Sequence, residues 1–276
     1  MLTFLMCRRA VLAGIASVVL ALTIGLSPAD AQTLEAAKER GKLLVGIQGD
    51  NVPLGFLDSQ GKNDGYDADM ARMFGKKLGL PVEFVIVTNQ NRIAALQSGK
   101  VDVLFSSLAM NAERAKVLQY SQPYIANQVS VLAAKDKPYK TFSDLKGVAI
   151  GVPKGSSQDI QLTKLAPDAD IKRFDDDSAT VQALLSGQVD AVGANQFYLA
   201  RVEKQAPGAY EYKIPIVATY NGAGCRLGDK EMNKALNDFI DEAKSSGKIA
   251  ELYKKWINAE APEFPTKIEG VPYSTQ

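Results

Sequence analysis

The chain has 276 residues, with 32 Lys and Arg against 31 Asp and Glu, two Cys and no His. Without histidine there is no Ser-His-Asp or Cys-His catalysis, no His-ligated zinc and no ordinary general base near neutral pH. The balanced charge argues against a nucleic-acid or membrane-surface partner.

The N-terminus reads as an export signal. Arg8 and Arg9 precede an uncharged apolar run, residues 10–26, and Ala29-Asp30-Ala31 follows as an A-x-A processing site. The run is at the short edge of a membrane span and the processing site comes at once, so residues 1–31 are expected to be removed near Ala31-Gln32. Cys7 lies inside this segment with no small-residue lipobox before it. No second apolar stretch of spanning length follows, so the mature chain is expected to be soluble in the periplasm, with room for two domains of roughly 100–150 residues each. Only Cys225 then remains, which excludes an intramolecular disulfide; a buried, inert thiol is expected.

Short apolar strands then alternate with helical stretches. Leu43–Ile47 reads as a strand. Tyr66–Leu78 repeats apolar residues at helical spacing and stops at Gly79, a C-cap residue, and residues 82–87 read as a strand again. This β-α-β order implies an α/β fold with parallel, doubly wound sheets. One internal echo follows. Residues 93–103 (IAALQSGKVDV) resemble residues 181–192 (VQALLSGQVDAV), aligning Ser98-Gly99 on Ser186-Gly187 and Val101-Asp102 on Val189-Asp190. Each copy is a helix ending in Gly followed by a buried strand, and two copies suggest two similar lobes.

In open parallel sheets, ligands bind beyond the carboxyl ends of the strands. After the first echoed strand come Ser106-Ser107-Leu108-Ala109; after the second come Gly193-Ala194-Asn195, and the same offset pairs Ser107 with Asn195. A third strand, residues 148–152, runs into Pro153-Lys154-Gly155-Ser156-Ser157-Gln158, a glycine turn opening a helix N-terminus suited to an anion. The Walker spacing is missing, so this is not a phosphate loop. Asp175-Asp176-Asp177 lacks the spacing of a calcium loop and precedes a helix, so these acids are expected to cap it and to face solvent. No metal and no cofactor are expected.

Together these pieces resemble the family-3 extracellular solute-binding proteins, the polar amino-acid receptors of ABC importers. The resemblance spans nearly the whole mature chain, in order: Val45-Gly46; PLGF at 53–56; GYDAD at 65–69; LQSGKVD at 96–102; Glu113-Arg114; YSQPY at 120–124; DLKG at 144–147; GVPKGS at 151–156; GQVDA at 187–191; GKIAELYKKW at 247–256. It implies a type II periplasmic-binding-protein fold of two α/β lobes joined by two crossover strands, near residues 128–133 and 218–223. Residues 133–217 would form lobe 2, and residues 32–132 with 218–276 the discontinuous lobe 1, with a Pro-rich end packing as an extended tail. It also implies a small amino-acid-like ligand, delivery to an ABC permease and ATPase complex at the inner membrane, and a monomer.

The resemblance carries roles onto single residues. Arg114 matches the arginine that forks onto a ligand α-carboxylate, with backbone groups of Ser106, Ser107 and Ala109 nearby, while Ser156, Ser157 and Gln158 close from lobe 2. The usual acid for the ligand ammonium falls on Asn195, an acid often found near the first strand falls on Gln48, and an aromatic that often stacks on the ligand falls near Asn51. Arg92 matches the side-chain-binding arginine of acidic-amino-acid receptors. Two arginines without a facing acid favour an anionic ligand, glutamate- or aspartate-like, or an opine-like conjugate with a modified amine. Two other functions fit the same fold: a cleft enzyme similar to cyclohexadienyl dehydratase, for which Asp50 is the one acid in the first-lobe cleft loops, and the ligand-binding partner of a sensor or chemoreceptor.

Overall fold

A computed structural model describes residues 33–273. The proposed signal and its processing site lie outside the described residues. In chain order the elements are α1 (Thr33–Arg40), β1 (Leu43–Ile47), β2 (Asp50–Asn51), β3 (Gly55–Leu57), β4 (Asn63–Asp64), α2 (Tyr66–Leu78), β5 (Val82–Ile86), α3 (Arg92–Gln97), β6 (Val103–Leu104), α4 (Ala112–Ala115) and β7 (Leu118–Ala134). A 3-10 turn (Phe142–Leu145) leads to β8 (Ala149–Pro153), α5 (Ser157–Leu165), β9 (Asp170–Phe174), α6 (Asp177–Leu185), β10 (Ala191–Asn195), α7 (Tyr198–Val202), β11 (Tyr210–Arg226), α8 (Lys230–Ser245) and α9 (Lys248–Leu252).

Eight strands form one sheet in the order β5-β1-β6-β11-β7-β10-β8-β9, and β2-β3-β4 form a small antiparallel sheet beside it. The order is that of two lobes written back to back. In lobe 1, β1 lies parallel between β5 and β6; in lobe 2, β8 lies parallel between β9 and β10. Each parallel core is closed by an antiparallel neighbour from the crossover pair, β11 against β6 and β7 against β10. The doubly wound expectation holds, with this antiparallel seam added: a strand that leaves one lobe for the other must run against its partner coming back.

The echoed segments occupy equivalent places. Gly99 (φ 77°) and Gly187 (φ 72°) both follow a helix in the left-handed region, where a side chain would cost about 1 kcal/mol or more, and each turn feeds the third strand of its lobe, β6 or β10. Lobe 1 packs Phe74, Phe105, Tyr124 and Phe239 on the α2 and α8 face of its sheet, and Leu96, Leu104 and Leu118 on the other. Lobe 2 packs Ile150, Val152 and Leu162 under α5, and Val181, Val192 and Tyr198 under α6 and α7. Fully burying one such side chain contributes about 1.5–3 kcal/mol, so each lobe has a core of its own on both faces. The Pro-rich end crosses lobe 1, with Val271 and Tyr273 buried and the Pro272 carbonyl taken by Gln119.

β7 and β11 are antiparallel partners over nearly their whole length. Val129–Asn195 through Ala133–Ala191 already tie β7 to lobe 2, and Gly224 ties β11 to lobe 1 through Leu104. Between these ties, Asn127–Thr219 and Gln128–Ala218 pair only with each other, while Asn221 also bridges Ala109 and Tyr220 O accepts from Met110 N–H at 2.8 Å. This two-stranded ribbon is the link between lobes. It lies a few residues before the first crossing expected from sequence, because the 129–133 stretch has joined the lobe 2 sheet.

Candidate ligand-binding site

The cleft wall of lobe 1 is built where β6 ends. Ser107 sits at φ 52°, a left-handed conformation that costs a non-glycine residue about 1–2 kcal/mol. A buried carboxylate holds it there: Ser107 N–H donates to Asp67 Oδ2 at 2.7 Å, and Tyr124 O–H donates to Asp67 Oδ1 at 2.7 Å. Burial pushes the Asp67 carboxyl up to about 6 against these two donors. The kinked loop turns two carbonyls toward Arg92, the first residue of α3, whose Nη1 donates to Ser106 O at 2.7 Å and Ser107 O at 3.4 Å. Arg92 is 1% exposed, and its Nε has no protein partner. Burial first and the neighbouring Arg114 second pull its guanidinium below its ordinary value.

Lobe 2 supplies the facing wall. Gly155 (φ 75°) turns the chain after β8, and Ser156 caps α5, its Oγ accepting from Asp159 N–H at 3.1 Å. Ser157 and Gln158 open that helix and are buried. At the end of β10, Asn195 Oδ1 accepts from Phe197 N–H at 2.9 Å, leaving Nδ2 to reach Asn51 Oδ1 at 3.3 Å.

The two walls are in contact. Arg114 Nη1 donates to Ala109 O at 2.9 Å in its own lobe and reaches Ser157 Oγ at 3.5 Å, while Nη2 donates to Gly155 O at 2.9 Å. Asp177 of lobe 2 accepts from Gln48 Nε2 at 3.2 Å and Asn89 Nδ2 at 3.0 Å, both of lobe 1, and from Tyr198 O–H at 2.6 Å. Asn51 Nδ2 braces Gln48 Oε1 at 3.1 Å. This is a closed arrangement around a cavity of about 20 Å³ lined by Asn51, Asn89, Arg92, Ser107, Ala109, Asn127, Ser157, Gln158, Asp177 and Asn195. That is room for one water, so an amino acid can enter only if the lobes part. A larger groove of about 690 Å³ lies on the surface of lobe 1 between α2, α8 and α9, but most of its charges, Arg72, Lys77 and Glu242 among them, are already engaged in surface ion pairs. The cleft instead gathers unpartnered buried atoms: Arg92 Nε, Ser106 Oγ and Asn127 Oδ1.

Of the residues singled out from sequence, Arg92, Asn51, Ser107, Ala109, Ser157, Gln158 and Asn195 line this cavity. Arg114 stands beside it, walling an adjoining cavity of about 140 Å³ with Ser157 and Thr219. Gln48 is one layer back, behind Asp177 and Asn51. Ser156 spends its hydroxyl on the helix cap, and Ser107 spends its N–H on Asp67, so neither is free in the form expected. Asp177 overturns its assignment. Asp176 alone caps α6, accepting from Ala179 N–H at 2.7 Å, and Asp175 is exposed. Asp177 is 1% exposed and faces the cavity, so the cleft does contain an acid. Asn89 and Asn127 also line the cavity and were missed. The echo held a signal for two of these three: the offset that pairs Ser107 with Asn195 also pairs Asn89 with Asp177, and those two residues touch.

Residues 43–259 match the model of the bacterial extracellular solute-binding proteins, family 3. The chain is 30% identical over 258 residues to the L-cystine-binding protein TcyJ of Escherichia coli, covering 91% of this chain and 96% of that one. It is 30% identical over 268 residues to a glutamate/aspartate import solute-binding protein of Salmonella typhimurium, covering 90% of this chain and 88% of that one. Among solved structures, the solute receptor for L-cysteine of Neisseria gonorrhoeae superimposes with a TM-score of 0.77 at 30% identity, over 81% of this chain and 93% of that one. These relatives are named for binding, import or solute reception. A family model spanning most of the chain, a two-lobed fold and a polar cleft between the lobes agree: this chain is a member of the family-3 bacterial extracellular solute-binding proteins.

Proposed function

We propose that the protein captures an α-amino acid with a short carboxylate or amide side chain, acidic amino acids first, and delivers it to an ABC permease and ATPase complex. The observation that carries the reading is the pairing of two buried charges on one cavity, Arg92 from lobe 1 and Asp177 from lobe 2. An amino acid needs both signs. The α-carboxylate goes to Arg114 with Ser157, whose groups meet across the cleft. The ammonium goes to Asp177: a carboxylate offers about four acceptor sites, and three protein donors leave one. Asn195 and Asn51 add neutral partners. The side chain then meets Arg92, whose Nε is buried without a partner, and an oxygen acceptor answers it. The cavity lining carries no aromatic side chain, which disfavours large apolar ligands. With Asp177 facing the site, a primary ammonium finds a charged partner, and the ground for an opine-like, N-substituted ligand falls away.

In this reading residues 133–217 close over residues 32–132 and 218–276, ligand shifts the population toward the closed form because it touches both lobes, and the exported chain acts in the periplasm as a monomer. The test is a thermal-shift and calorimetric panel on mature protein unfolded, stripped and refolded, with L-glutamate, L-aspartate, L-glutamine, L-cystine and L-arginine. A ligand at 100 times its Kd stabilises by about 2.7 kcal/mol. Stabilisation by the acidic or amide members, with the ligand recovered chemically unchanged, is expected. Stabilisation by arginine alone overturns the assigned ligand class, and conversion of the ligand overturns the receptor reading.

A further inference from the structure

A second carboxylate crosses the cleft away from the cavity. Asp50, on β2 of lobe 1, accepts from Ser178 N–H of lobe 2 at 2.9 Å, at the first turn of the nine-residue helix α6. Asp50 does not line the cavity. Ser178 directly follows Asp177, so the contact fixes the turn that aims Asp177 into the site. The same contact gathers like charge. Facing Asp50 from the start of α6 are Asp176 and Asp177, and from α7 the Arg201 guanidinium and the Tyr198 phenol. Arg201 is partly committed, its Nη2 donating to Ser178 Oγ at 3.1 Å and its guanidinium lying over the Tyr198 ring. On the lobe 1 side, β2 pairs with β3, whose residues Gly55, Phe56 and Leu57 carry no charge, and the nearby Gln48 and Asn51 are neutral.

We propose that Asp50 is a positioning residue that makes ligand capture proton-linked: it docks on α6 and orients Asp177 only when the lobes meet, and closing the cleft drives a proton onto it. The inference rests on capture by lobe closure, as proposed above. The electrostatics have the matching sign. In the closed form, burial first and Asp177 second push Asp50 from its ordinary value of 3.8 up to about 6, with the Ser178 amide opposing. Parting the lobes returns the carboxyl to water and removes Asp177 from its side, which restores the ordinary value. The closed form therefore holds more protons between pH 4 and 6, and closure strengthens as pH falls through 6. With values of about 6 closed and 3.8 open, affinity at pH 5 is about tenfold above that at pH 8, with nearly one proton taken up per ligand at pH 5.

Asp50→Asn keeps an acceptor for Ser178 N–H and removes the charge. Calorimetry with L-glutamate, L-aspartate and L-glutamine at pH 5 and 8, in two buffers of different ionisation enthalpy, reads both affinity and proton uptake. The expected result is a roughly tenfold tightening on acidification for the wild type and none for D50N, which as a neutral side chain binds at both pH values at least as tightly as the wild type does at pH 5. Equal pH slopes in the two proteins, or no proton uptake at pH 5, overturn the proposal. A second readout needs no ligand: pulsed EPR distances between labels at Lys62→Cys and Lys172→Cys, with Cys225 buried and out of reach. The closed fraction should rise on acidification in the wild type and stay fixed in D50N; identical behaviour sinks the proposal. If no amino acid in the panel binds, the ligand assignment fails, and the distances still decide the role of Asp50.

Discussion

Asp177→Asn separates an amine-binding role from a closure role. The substitution keeps size and one acceptor oxygen but removes the charge from a side chain that is 1% exposed. Truncating one partner of a buried, hydrogen-bonded charge pair costs about 2–5 kcal/mol, and the oxygen that remains puts this case near the lower end. At about 1.4 kcal/mol per tenfold, L-glutamate binding should weaken about 30- to 150-fold. Glutarate, the same dicarboxylate without the amine, is the control. Asp177 also holds Gln48 and Asn89 across the cleft, so a closure defect would strike both ligands alike. Calorimetry at pH 8, where Asp50 is ionised throughout, should show the loss with glutamate and less than about threefold change with glutarate, since a ligand lacking the ammonium has no coupling to lose. Equal losses for the two ligands would refute the assignment of Asp177 to the amine.

Three further substitutions test neighbouring parts of the argument. Arg92→Ala removes the donor held by the Ser106 and Ser107 carbonyls and should cost about 1.5–3 kcal/mol of glutamate affinity, roughly 10- to 150-fold, in the same calorimetric titration; unchanged affinity would remove Arg92 from the site. Gly155→Ala places a side chain at φ 75° with its Cβ about 3.1 Å from Gln90 Cα and 3.2 Å from Asn89 O, contacts that exist only when the lobes meet, so affinity should fall well beyond the roughly 1 kcal/mol loss of unliganded stability read from denaturant melts. Asp67→Asn tests burial: a carboxyl raised from 3.8 to about 6 contributes stability that is present below pH 3.8 and lost as pH rises through 6, about 3 kcal/mol in all, so urea melts should show the wild type losing stability relative to D67N between pH 4 and 7.

How much of this was legible in the chain depends on the range of the interaction. Tyr66–Leu78 and its stop at Gly79 were read correctly because helix periodicity and the left-handed C-cap (φ 69°) are local facts. β1 was legible for the same reason, and the echoed Ser-Gly turns disclosed the two-lobe plan. Asp177 was not. Three consecutive acids before a helix share one local signature, and neighbouring residues on a helix point about 100° apart, so only the packing of α6 against lobe 1 decides which caps, which is solvated and which is buried. Asn127 shows the same limit. It reads as one polar residue in a long strand, and its place in the cavity follows from the bare ribbon that the strand enters there. The closing contacts of Arg114 and Asp50 likewise join residues tens of positions apart that no periodicity connects.

The ribbon between the lobes also bears on how such a receptor can change its ligand over evolutionary time. Because Asn127 and Thr219 are register partners, the segment leaving lobe 1 and the segment returning to it are neighbours in space. Everything that lobe 2 brings to the cleft, Ser157, Gln158, Asp177 and Asn195, is encoded in the single uninterrupted stretch between them. One recombination event with cuts at those two paired positions would replace half of the recognition surface as a unit and leave the other half, with Arg92 and Arg114, intact. Specificity in this architecture is heritable by halves, and a chimera joined at this ribbon keeps its strand register on both sides of each seam.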